Sequence, residues 1–122
     1  MRVLICDDDS MTLRALEFRF KKDGFEILKA TNGKDGLKMI EENNDIDVLI
    51  TDIYMPQING LEIVTYVRDT LERDIPIVVV SRANVEDTIQ YAMELKANAY
   101  LTKPVNLEEI SKKVKQLLHL NE

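Results

Sequence analysis

Five short apolar runs alternate along this chain with five stretches whose apolar residues recur at helical spacing, and few folds accept that pattern. The runs fall at residues 3–6, 25–30, 48–50, 76–80 and 99–101. Val48 to Ile50 is short and rich in β-branched residues, as fits a strand buried on both faces. The helical stretches carry Leu13, Leu16 and Phe20; Leu37 and Ile40; Val64, Val67 and Leu71; Ile89, Ala92 and Met93; and Leu107, Ile110, Val114, Leu117 and Leu118. Punctuation supports these boundaries. Asp9 or Ser10 can cap the first helix, and Asp23-Gly24 stops it. Thr31-Asn32-Gly33 turns the chain into the second helix, which Asn43-Asn44-Asp45 ends. The third starts near Gly60 and ends near Arg73-Asp74, while Asn84 with Asp87 and Asn106 with Glu109 are caps for the fourth and fifth. Strands alternating with helices imply a parallel sheet covered on both faces, an α/β doubly wound fold. Right-handed crossovers then bring every strand's C-terminal end to one edge.

The residues at that edge are Asp7 and Asp8 after the first strand, Asp52 after the third, Ser81 after the fourth and Lys103 just past the fifth. Asp52 is followed by Ile53-Tyr54-Met55-Pro56, and Gly60 lies beyond, so it stands where a strand gives way to a loop. Open α/β sheets place their chemistry at such exits. If the first and third strands are neighbours, three carboxylates share one pocket, and like charges ~4 Å apart repel by about 4 kcal/mol at an effective dielectric near 20. A cation is needed there. An all-oxygen site suits Mg²⁺, which keeps several waters and takes one or two carboxylates plus phosphate oxygens. A clamped carboxylate beside a hydroxyl and a lysine is the set of parts needed to accept a phosphoryl group, with Asp52 as nucleophile.

Composition limits the alternatives. The 122 residues form one domain, 1–122, with 22 acidic against 16 basic residues, net charge −6 and no lysine or arginine run. Direct binding to nucleic acid or to an anionic membrane is therefore not expected. Cys6 is a lone cysteine, read as a small buried hydrophobe, and His119 is read as a surface residue. No run reaches membrane-spanning length and the N-terminus has no signal-like segment, so a cytoplasmic location is the expectation.

With these residues in place, the whole chain resembles the receiver domains of two-component response regulators. The matching marks are Asp7-Asp8, Asp52-Ile53-Tyr54-Met55-Pro56 with Gly60 beyond, Ser81, and Tyr100-Leu101-Thr102-Lys103-Pro104. The resemblance implies a flavodoxin-like (βα)5 fold with strand order 2-1-3-4-5, which the pattern alone does not specify. It implies that Asp52 is the phosphoacceptor, fed by a histidine kinase or phosphotransfer protein. Asp8, Asp52 and the backbone carbonyl of Tyr54 would ligate Mg²⁺, with Mn²⁺ as a substitute, and Asp7 would act mainly through water. Ser81 and Lys103 would hold the phosphoryl oxygens, and Tyr100 would be the aromatic switch that reshapes the face of helix four, strand five and helix five; a plain core aromatic is the other reading of Tyr100. The Lys103-Pro104 bond would be cis. Output would be altered binding of a downstream protein partner or effector domain, without turnover of a separate substrate.

Three departures stand out. Receivers usually carry a small residue after the strand-four hydroxyl, and here it is Arg82, which either pairs with the acidic cluster at rest or screens the phosphoryl group from water. Tyr54, two places after the acceptor, can shade the same path. Lys96-Ala97-Asn98-Ala99 replaces the usual glycine and acids of that turn, which argues against pairing like DNA-binding regulators. The chain is expected to be either a stand-alone regulator or the N-terminal part of a longer one. A receiver-shaped interaction module working without phosphorylation is the alternative function. An aspartyl-phosphate phosphatase is more remote, since Tyr54 stands where such enzymes place a second acid. A flavin carrier is opposed by Asp7-Asp8-Asp9, which would repel its phosphate.

Overall fold

The computed structural model describes residues 1–120. In chain order the elements are β1 (Arg2–Cys6), α1 (Ser10–Lys22), β2 (Glu26–Ala30), α2 (Gly33–Glu42), β3 (Val48–Thr51), α3 (Gly60–Thr65), a π-helical turn (Tyr66–Thr70), β4 (Ile77–Ser81), α4 (Glu86–Glu94), β5 (Ala99–Thr102) and α5 (Leu107–Leu117). The five strands pair in parallel in the order 2-1-3-4-5, the flavodoxin-like arrangement. Side chains alternate across the sheet and give it two cores. Leu4, Leu49, Ile77 and Val79 pack with Ile40 of α2 and Ile63 and Val64 of α3. Val3, Ile5, Ile50 and Val78 face the other way, onto Leu16 and Phe20 of α1 and Ile110 and Val114 of α5.

Strand pairing positions the functional edge. Cys6 lies opposite Thr51, and the pairing runs one step further because the Asp52 N–H donates to the Cys6 carbonyl at 2.9 Å. The Asp7 N–H donates to the Ala30 carbonyl at 3.0 Å. Both acids are thus held by backbone bonds as the chain leaves the sheet. The loop after Asp52 is pinned by the Gly60 N–H, which donates to the Ile53 carbonyl at 2.8 Å. A capping box follows, in which Asn59 accepts from the Glu62 N–H and Glu62 accepts from the Asn59 N–H. Asp9 and Asn106 cap α1 and α5 as their positions suggested. The Lys103-Pro104 bond is cis. His119 is exposed, and the Cys6 thiol, fully buried beside Asp7, is pushed up to about 12 by burial and that charge.

Two helices differ from the sequence reading. The third is not one α-helix to Arg73-Asp74: it widens after Thr65 into a π turn, in which the Leu71 N–H reaches the Tyr66 carbonyl five residues back. The extra residue leaves Val67 buried and Leu71 only partly so. In α4, Asn84 does not cap; Val85 occupies the N-cap without a side-chain bond, and the helix starts at Glu86. Its one buried residue is Ala92; Thr88, Ile89 and Leu95 are half-buried, and Met93 turns outward to 41% exposure. Asn98 has a structural role, accepting from the Ile77 N–H and from Arg68 at 2.8 Å each.

Gly60 is the steric key to the loop after Asp52, because a Cβ there would lie 1.8 Å from the Asp52 carbonyl oxygen. We expect Gly60→Ala to lower folding stability by at least about 2 kcal/mol, read as the shift in the urea unfolding midpoint.

Candidate functional site

Asp7, Asp52, Ser81 and Lys103 meet at the C-terminal edge of the sheet, carried by the ends of β1, β3, β4 and β5. Asp7 is 2% and Asp52 6% exposed, so both carboxylates need partners. Lys103 supplies one to each: its Nζ lies 3.0 Å from Asp7 Oδ2 and 3.0 Å from Asp52 Oδ2. The remaining oxygens are served by the main chain, with the Asp9 N–H 2.9 Å from Asp7 Oδ1 and the Ile53 N–H 2.6 Å from Asp52 Oδ1. Lys103 is itself placed by its N–H, which donates to the Ser81 carbonyl at 2.8 Å. Asp8 is exposed at the rim. One oxygen from each of Asp7, Asp8 and Asp52 falls within 4.8 Å of the others.

The electrostatics follow from burial. Desolvation raises the Asp7 carboxyl above the ordinary range, and the Asp9 N–H and Lys103 only partly offset it. For Lys103 burial acts downward, but the Asp52 and Asp7 carboxylates outweigh it and hold the ammonium form more firmly than in a free lysine. One cation against three acids leaves an anionic oxygen cluster with no sulfur or imidazole among its donors. That donor set fits a hard divalent ion such as Mg²⁺.

Above the cluster opens a pocket of about 430 Å³, lined by Asp8, Asp9, Asp52, Tyr54, Arg82 and Lys103. Arg82 stands at its mouth and is exposed; among the described residues it forms no ion pair with the cluster, because Lys103 holds that position. Ser81 is fully buried, and its Oγ accepts from the Ala83 N–H at 3.2 Å. Tyr100 is half-buried and donates from its hydroxyl to the Ala83 carbonyl at 2.6 Å, while burial, together with the nearby Tyr54 and Asp52, raises its phenol. Ala83 thus joins the two, a role no side chain in the sequence could signal. Asp9 was also underestimated: besides capping α1 it lines the pocket and orients Asp7.

A doubly wound α/β domain with an acid cluster and a bridging lysine at its C-terminal edge belongs to a narrow class. The family model described as response regulator receiver domain matches residues 3–115, and the chain belongs to that family. It is 39% identical over 118 residues to the transcriptional regulatory protein PrrA of Mycobacterium tuberculosis, covering 96% of this chain and 49% of that protein. The chain thus spans about half the length of that relative. It is also 31% identical over 124 residues to the chemotaxis protein CheY1 of Helicobacter pylori, with both chains covered in full. Among solved structures, a response regulator receiver domain protein from Clostridium thermocellum is 30% identical with a TM-score of 0.88, covering 97% of this chain and 94% of that one.

Because the folded Asp7 carboxyl titrates above its unfolded value, ionising it works against folding at neutral pH, and that penalty disappears in acid. Asp7→Asn should therefore raise stability by about 1 kcal/mol at pH 7 without metal, with a smaller gain at low pH. Urea unfolding at the two pH values checks it, and added Mg²⁺ should narrow the neutral-pH difference.

Proposed function

We propose that this receiver domain is a phosphoacceptor switch in which Asp52 takes a phosphoryl group from a phosphohistidine. The observation that carries the reading is the Lys103 ammonium 3.0 Å from both Asp7 and Asp52 beside an open pocket. An Asp52 oxygen attacks phosphorus; the P–O bond forms as the P–N bond to the donor imidazole breaks, and the imidazole takes a proton. The Ile53 N–H fixes the orientation of the attacking carboxylate. Lys103 and the Ser81 hydroxyl meet the charge on the transferred oxygens. Asp8, Asp52 and the Tyr54 carbonyl would hold Mg²⁺, with Asp7 acting through water, and the ion would supply Lewis-acid charge there. Water attacking the same phosphorus later restores Asp52 and releases phosphate.

The donor protein, a histidine kinase or phosphotransfer protein, has a surface to meet beside the pocket. Met11 is 80% and Phe18 70% exposed on one face of α1, and Met11 and Ala15 border a groove of about 440 Å³ that also includes Arg82, Lys103, Pro104 and Val105. Output follows from Ala83. Ser81 and Tyr100 both bind its backbone, so a shift of the Ser81 hydroxyl toward a phosphoryl group favours a new setting of the loop before α4. The face formed by α4, β5 and α5 would then present differently to a downstream protein or an effector domain. The net charge of −6 favours protein partners over nucleic acid or membrane for this domain, and none of the helices among the described residues is long and apolar enough to cross a membrane.

Intact mass after incubation with Mg²⁺ and acetyl phosphate tests the chemistry. We expect one phosphoryl adduct that requires Mg²⁺ and disappears in Asp52→Asn; an adduct persisting in that variant contradicts the assignment, and a folded, Mg²⁺-binding protein that neither acetyl phosphate nor a histidine kinase can modify supports an interaction module instead. Followed over time, Arg82→Ala and Tyr54→Ala should each lose the adduct severalfold faster, since both side chains stand over the path of water. An unchanged rate removes Arg82 or Tyr54 from that role.

A further inference from the structure

A second recess lies between α3 and α4, about 400 Å³ in volume, and shares no lining residue with the acid pocket. Its walls include Leu61, Glu62, Tyr66, Tyr91 and Leu95. Among the described residues no lysine or arginine lines it, and Glu62 is its one charged lining residue. The α4 flank repeats that character, while on the other flank the Arg68 guanidinium is already bound by the Lys96 carbonyl and Asn98. On α4, Asp87 and Glu94 fall four before and three after Tyr91, on the same face of the helix. On α3's other neighbour, α2, Glu41 accepts from the Tyr66 hydroxyl and anchors the ring. Tyr66 also opens the π turn, a departure from α geometry that is frequent at functional sites.

Two tyrosines and a carboxylate beside Leu61 and Leu95 are complementary to a long side chain with an apolar stem and a cationic end. We propose that the α3–α4 groove docks a basic segment of a partner protein, taking an arginine or lysine whose stem lies on Leu61 and Leu95 and whose charge meets Glu62, Tyr66 and Tyr91. The recess is large enough for one such side chain. The groove is a separate contact from the phosphoacceptor chemistry, and its test uses unmodified, metal-free protein.

The probe is Nα-acetyl-argininamide, with the neutral isostere Nα-acetyl-citrullinamide as control, each titrated into ¹⁵N-labelled protein. The arginine compound should give saturable amide shifts at Glu62, Tyr66, Tyr91 and Leu95, with the citrulline compound binding at least about fivefold more weakly. Glu62→Gln retains a capping-box residue while removing the charge, and it should weaken arginine binding at least about threefold. Tyr91→Leu keeps an apolar wall and should weaken it similarly. Equal shifts from the two compounds, or arginine shifts as large at the remote acids Asp45 and Glu108 as in the groove, would overturn the proposal.

Discussion

The placing of one ammonium group between two buried carboxylates is the constraint on which the functional edge depends. Asp7 and Asp52 leave neighbouring strands side by side, and without a cation their repulsion at a nearly dry site would amount to about 4 kcal/mol at ~4 Å. Lys103 relieves it from the far side of β4, anchored by its own N–H to the Ser81 carbonyl. The arrangement needs all four strand ends in register. A parallel sheet supplies that alignment because every strand ends at the same edge.

The same balance leaves the cluster ready for a second cation. Two acids are held by one lysine, while Asp8 waits at the rim with an oxygen within reach of both. A metal bound there would compete with Lys103 for the Asp52 carboxylate, and a phosphoryl group would draw the two cations together by adding negative charge between them. Ala83 would connect that event to the surface, since its N–H and carbonyl bind the buried serine and the half-buried tyrosine.

Much of this was legible in the residues. Val48, Leu49 and Ile50 have no polar alternation because helices cover both faces of β3, and the residue after each of β1 and β3 is acidic because the chain there turns into the pocket. Capping was legible where a side chain makes the bond, as at Asp9 and Asn106, and misled at Asn84, where the helix begins with no such bond. The π turn at Tyr66–Thr70 had no signature, because α and π geometry differ by one residue in a pattern that tolerates both. Met93 was misassigned because α4 buries a narrow stripe around a small residue, Ala92, and an apolar side chain one position away carries no mark of its direction. Ala83 was invisible for a different reason: it acts through its backbone.

The most direct test of this account is the Mg²⁺ affinity of Lys103→Met beside the wild type, measured by calorimetric titration on protein shown to be folded. If Lys103 and the metal share the buried carboxylates, removing the lysine charge should tighten Mg²⁺ binding by about tenfold or more. Unchanged or weaker binding in the variant would contradict it, because the cation that holds Asp7 and Asp52 together would then not be set against the metal.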